Sequence, residues 1–248
     1  MNPRFDREKF WAELDGRIAK FDLLTHPFYQ AWSAGQLTRD DLRDYAADYY
    51  PHVAAFPTYL SALHCRLPDG ELRRAVLRNL AEEEIHGRAH SELWLDFAEG
   101  MGGERDAVRQ REPMREIQEL VSTFRDLAQH AGTAECLAAF YAYESQVPRI
   151  AAAKASGLEQ HYAADARTVG YFHLHRTADV RHSRVWRRLL EAELQENPGS
   201  APDVLAAGER ACAALWRALD GIDRQGHACS GSGEHFTATM EPRVGSRP

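Results

Sequence analysis

The chain has 248 residues, 44% of them hydrophobic, and a formal net charge of −7, which gives enough apolar content for one large core. The acidic balance argues against a protein that binds nucleic acid through a basic face, and no apolar run of about 18 residues is present to cross a membrane. The opening MNPRFDREKFW lacks the apolar stretch of a secretory signal, and Cys65, Cys136, Cys212 and Cys229 form no paired motif, so a reduced, cytoplasmic setting is expected.

Helical periodicity dominates and no strand-like alternation of useful length occurs. Asp6 is placed to cap a first helix over about 7–22, with Phe10, Leu14, Ile18 and Phe21 on one side. HPFYQAWSAG follows, with Pro27 suited to a first helical turn and Gly35 to a stop. Thr38 and Asp41 resemble a capping box at the head of a helix to about Cys65, which is expected to kink near Pro51 or Pro57. A helix over about 69–98 should carry Glu83 and His90, and 104–112 reads as a charged connection. Helices over about 113–130 and 133–155 come next, the latter bearing Tyr141, Tyr143, Glu144 and Lys154 with a distortion at Pro148. A helix over about 159–195, broken near Gly170, precedes the turn at Asn197-Pro198-Gly199, and a last amphipathic helix covers about 201–224. The expectation is an all-α bundle of seven or eight helices in one domain, 1–225, with a disordered polar tail over 226–248.

Three of these helices carry residues of the types that bind metals. Successive helical residues turn by about 100°, so Glu83 and His90, seven apart, share a face of the expected helix. His175, Asp179 and His182 fall at i, i+4 and i+7, a single stripe. With Glu144 they make three carboxylates and three imidazoles. Mixed oxygen and imidazole donors suit iron or manganese better than calcium or structural zinc. Six donors exceed the needs of one catalytic ion with open positions and match two, and helix bundles host such dinuclear centres. Each fragment also has a plainer reading: an E-x6-H pair is commonly a solvated face, and a lone Glu144 can be a buried acid paired with an arginine. His86, four residues before His90, lies about 40° from it and could take its place. His26 can simply cap a turn, and His173 faces away from His175.

HPFYQAW, NLAEEEIHGRAHSELW, FYAYES and YFHLHRTADVRH, in that order, resemble the haem-oxygenase-like fold of the PqqC/TenA-like group. Within it they most resemble the chlamydial death-domain-associating protein family and its free-living relatives. The likeness covers about residues 10–220, and its register favours His90 over His86. Members of that family look like self-sacrificing 4-aminobenzoate synthases, making a folate precursor, and the resemblance implies the same activity here. Two metal ions, diiron or manganese with iron, act there with O2 and a reductant. A tyrosine of the chain becomes the ring of 4-aminobenzoate and a lysine gives the nitrogen. The resemblance matches the sacrificed tyrosine to Tyr29, the donor to Lys154 and neighbouring phenols to Tyr45, Tyr143 and Tyr171. It matches the metal ligands to Glu83, His90, Glu144, His175, Asp179 and His182. It also implies a homodimer as one form of the fold. The acidic run Glu82-Glu83-Glu84 leaves the register there open.

The chain contains only three lysines, Lys9, Lys20 and Lys154, so a lysine inside an alanine-rich helix stands out. To act as a nucleophile Lys154 must be neutral, which burial favours. Tyr141 is read as core packing with its hydroxyl bonded to a partner. Two other readings compete: an oxidase of an external small substrate, and a helical interaction protein without catalysis. The pairing of Tyr29 with Lys154 argues against the former, and six ligands argue against the latter.

Overall fold

The computed structural model describes residues 5–230, and among these there are eleven α-helices, two 3-10 turns and no strand. Asp6 caps α1 (Arg7–Ala19) by accepting from the Lys9 amide. A 3-10 turn, Leu23–Thr25, leads to α2 (Pro27–Ser33), whose Pro27 occupies the first helical turn and whose cap is His26. Thr38 opens α3 (Arg39–Arg66) with a reciprocal capping box to Asp41, and both Pro51 and Pro57 lie within this unbroken helix. After these come α4 (Glu71–Glu84), α5 (His90–Gly100), α6 (Arg105–Gln110), α7 (Arg115–His130), α8 (Thr133–Glu144), α9 (Val147–His161), α10 (Gly170–Glu196) and α11 (Ala201–Ser230).

The all-α expectation holds, but the helix count rises because long helices are interrupted. The helix expected over 69–98 breaks between Glu84 and His90. Gly87 there has φ of +100°, a conformation other residues rarely adopt. The helix expected over 133–155 breaks at Ser145 and Gln146, so that Pro148 falls in the first turn of α9, where a missing N–H costs nothing. The expected distortion is thus a helix boundary. The stretch assigned to 159–195 is divided between the end of α9 and α10, with Gly170 opening α10. The charged connection over 104–112 contains α6. The last helix passes 224 and runs to Ser230, so the expected tail from 226 begins inside a helix. The rest of that tail, 231–248, lies outside the described residues.

One apolar core takes in residues from Phe10 to Ile222. Its axis is α8, which packs on α10 and α11. Of its twelve residues all but Thr133, Glu135 and Tyr143 are buried, the pattern of a helix surrounded by others. Alanines at 134, 138, 139 and 142 let neighbours come close. On one side α3 packs against α4, α5 and α7, and α9 lies along α10 and touches α2. Among the described residues no helix is long and apolar enough to cross a membrane.

Close approach between α2 and α9 depends on Gly157. A Cβ there would stand 2.8 Å from Cδ1 of Trp32, a fully buried ring whose indole N–H donates to the Lys154 carbonyl at 3.3 Å. We expect Gly157→Val to lower stability by about 1–3 kcal/mol through overpacking, read as a lower urea midpoint. An unchanged midpoint would mean that this contact does not set the spacing of α2 and α9.

Candidate metal centre

Four helices deliver the six residues singled out from the sequence. Glu83 ends α4, His90 begins α5, Glu144 ends α8, and His175, Asp179 and His182 form one buried stripe on α10. All six are buried, at 2–5% exposure. Their donor atoms gather in two triads, Glu83 with His90 and His175, and Glu144 with Asp179 and His182; within each triad the atoms lie within 4.8 Å of one another. One cavity is lined by residues of both triads, namely Glu83, His175, Glu144 and Asp179, with Val53 and Phe56 as an apolar wall.

The expected reason for the Glu83–His90 pairing does not hold, since the two are on different helices. The turn through Gly87 brings His90 back so that its Nδ1 lies 2.7 Å from Oε2 of Glu83. That nitrogen nonetheless has no hydrogen-bond partner; the pair is close but out of line. His86, the sequence alternative, is exposed. His26 caps α2, accepting from the Phe28 amide at 3.1 Å, and His173 pairs with Glu159 at 3.0 Å away from the centre.

Proton positions on two of the histidines follow from their partners. The Nδ1–H of His175 donates to the Tyr171 carbonyl at 2.8 Å, which leaves Nε2 free. His182 turns Nδ1 to Asp179 at 3.1 Å and toward Glu144 at 3.9 Å. Burial alone would raise the Glu83 carboxyl, but His90, with His175 and His182 further off, outweighs it and holds the group below its usual range. Burial, reinforced by Asp179 and Glu83, drives the Glu144 carboxyl well up against the pull of His182. Burial would lower His182, but Asp179, Glu144 and Glu82 push it up to about 10. His182 therefore holds a proton that a bound cation would displace.

Oε1 of Glu144 is buried without a partner, while its Oε2 accepts from the Trp186 indole N–H. Unpartnered buried donor atoms on Glu144 and His90, within a set of three carboxylates and three imidazoles, fit divalent ions of the iron and manganese kind.

A second cluster adjoins the first. Lys154 on α9 is buried, and its Nζ lies 2.8 Å from the Tyr29 hydroxyl and also donates to Tyr45; the two hydroxyls are 3.1 Å apart. The amine sits over the Tyr29 ring at 4.1 Å and the Trp32 ring at 5.1 Å. Burial takes its pKa well below the ordinary 10.5, and burial raises the Tyr29 and Tyr45 phenols. The cavity around this cluster and the cavity between the triads share two residues, Tyr143 and Tyr171. Tyr171 also stacks on the His175 ring, with centroids 4.0 Å apart. Tyr141 keeps the packing role expected of it, its hydroxyl donating to Asp15 at 2.9 Å.

Sequence reasoning missed Tyr49 and Trp94, which line the Lys154 cavity, and Glu82 and Trp186, which bond the candidate ligands. Spacing could have found Tyr49, one helical turn beyond Tyr45. Nothing local marks Trp94 or Trp186.

Residues 43–216 match the family described as iron-containing redox enzyme. The chain belongs to that family. It is an oxidoreductase, and its fold is haem-oxygenase-like. Over 223 residues it is 41% identical to a protein of Nitrosomonas europaea named 4-aminobenzoate synthase, a match covering 86% of this chain and 90% of that one. A 4-aminobenzoate synthase of Chlamydia pneumoniae is 37% identical, with 89% and 98% covered. A domain of unknown function with a heme oxygenase-like fold from Shewanella denitrificans superposes with a TM-score of 0.77 at 16% identity, covering 94% of this chain and 99% of that one.

If the triads hold one ion each, removing one histidine from either should cost one ion. We expect His90→Ala and His182→Ala each to retain one metal per chain where the unaltered protein holds two, by elemental analysis after anaerobic loading. Loss of all metal from both variants would point instead to one shared ion.

Proposed function

We propose that this iron-containing redox enzyme is a dinuclear, O2-dependent 4-aminobenzoate synthase that consumes its own Tyr29 and takes nitrogen from Lys154. Glu83, His90 and His175 would hold one ion and Glu144, Asp179 and His182 the other, as diiron or as manganese with iron. When bound, the ions supply oxidising power drawn from O2 and a reductant.

The observation that carries this reading is the placement of the Lys154 amine. In 4-aminobenzoate the amino group stands para to the carboxylate. In tyrosine the hydroxyl stands para to the β-carbon. The nitrogen must therefore replace the hydroxyl of Tyr29, and Nζ of Lys154 lies 2.8 Å from that oxygen. Burial in the aromatic cage lowers the amine's pKa and so favours the neutral form, whose lone pair is available. Tyr45 bonds both partners and holds the phenol in register with the amine. Tyr143 and Tyr171 stand between the two cavities, where a phenol can pass oxidising equivalents from the centre toward Tyr29. The names of the two relatives described above support the same product.

We expect at most about one 4-aminobenzoate per chain, formed without any added aromatic precursor. Ring-labelled tyrosine supplied during expression should appear in the product released by the purified protein. Tyr29→Phe should retain metal and make no product, because the ring then lacks an oxidisable phenol. Lys154→Met, which keeps an unbranched apolar stem about one atom shorter and removes the amine, should do the same. Many turnovers on an added small molecule, with Tyr29 intact by peptide mass, would replace this reading with that of an external-substrate oxidase.

Lys154→Met also has a pH signature. The folded state disfavours the ammonium form, whereas the unfolded chain binds that proton up to the ordinary 10.5. Lys154 therefore weakens the fold at neutral pH, and the penalty shrinks as pH rises toward that value. We expect the stability gained by Lys154→Met to be largest near neutrality and to decline through pH 9 and 10 in urea titrations. A gain independent of pH would mean that the lysine is charged in the folded protein.

A further inference from the structure

The acidic run at the end of α4 divides its work between the two triads. Glu83 points inward, beside His90, and Glu84 is exposed. Glu82 is turned about 100° from Glu83 and meets α10 at a different place. Its Oε2 lies 2.9 Å from Nε2 of His182 and 2.9 Å from Nη2 of Arg181.

We propose that Glu82 is a positioning residue for the Glu144–Asp179–His182 triad, fixing His182 so that Nδ1 is the nitrogen offered to a cation. This inference rests on the two-ion reading given above and not on the identity of the substrate. A carboxylate can only accept, so Glu82 holds the Nε2–H of His182 on the outer side, while Nδ1 points into the triad toward Asp179 and Glu144, where a cation would take the place of its proton. Ligand histidines are commonly oriented this way, by an acceptor on the nitrogen that does not bind metal.

The two α10 histidines solve this problem differently. His175 donates to the carbonyl four residues earlier in its own helix, so its orientation is set within α10. The orientation of His182 comes from α4, a neighbouring helix. Arg181 offsets the charge of Glu82, which is 30% exposed, at the outer edge of the site. One segment of α4 thus supplies a ligand to one triad and orients a ligand of the other. Loss of Glu82 should weaken one ion selectively, whereas a general loosening of the bundle would weaken both.

The test is titration of the full-length apo-protein with Mn(II), following the free aquo ion by electron paramagnetic resonance, with thermal melting of each apo variant alongside. The unaltered protein should bind two ions. Glu82→Ala should bind one ion as before and the second about 10–100-fold more weakly. Glu82→Gln keeps an acceptor oxygen and the side-chain shape, so it should weaken the second ion less; it carries the test if the alanine variant does not fold. Long-range proton–nitrogen spectra of the apo-protein supply a readout independent of metal: the His182 Nε2–H should lose its hydrogen-bonded shift in Glu82→Ala. Wild-type affinity for both ions in the variants, or equal weakening of both, overturns the role given to Glu82. Fewer than two ions on the unaltered protein overturns the two-ion reading itself, and this inference with it.

Discussion

Burying three carboxylates and three imidazoles together is the constraint on which the rest of this molecule turns. Isolated carboxylates in an apolar interior are very costly unless paired or bound to a cation. In the protein alone the balance is struck by a proton on His182 and by close contacts such as Glu83 with His90. Some atoms, including Oε1 of Glu144, are left with nothing to bond. Two divalent ions would satisfy those atoms and release the proton. The bundle around the centre supplies the stiffness to hold such groups together, through the buried helix α8 and the long stripe of α10.

The amine cluster follows the opposite rule. Lys154 has no acidic partner and is surrounded by rings, so its neutral form is the one that fits. A cluster of charged groups and a site that favours an uncharged amine therefore share one core. Tyr143 and Tyr171 stand where the two environments meet. On the proposed reading, an ammonium there would be inert as a nucleophile and a neutral amine at the surface would protonate; burial in the aromatic cage avoids both.

Much of this could be read from the sequence, and what could not has a physical reason. The stripe His175, Asp179, His182 lies within one continuous helix, so periodicity alone placed it on a single face. The caps of α1 and α3 were readable because each is made by residues three apart in the chain. The pairing of Glu83 with His90 holds for a different reason from the one their spacing suggests: the helix is interrupted between Glu84 and His90, and the turn through Gly87 brings the two side chains together. The breaks at 145–146 and near Gly170 were visible only as a proline and a glycine, and their role as boundaries depends on packing against α10 and α2. The contacts of Glu82 and Trp186 with the centre join residues 100 and 42 apart in sequence. Such distances carry no local signal.

The Tyr29 ring packs on Phe28 and Trp32 of its own seven-residue helix α2 and on Tyr45 of α3. On the proposed reading, reaction excises that ring and leaves an empty space between α2, α3 and α9. Deleting a large buried aromatic side chain costs about 3–5 kcal/mol, a large share of the stability of an ordinary domain. A used chain would then be a chemically marked, loosened form of the same protein, open to proteases that spare the fresh one. Comparing proteolysis rates before and after one round of reaction would register that difference. In that case the packing of a single ring would set both the yield and the lifetime of each molecule, and supply of the product would follow the rate of protein synthesis.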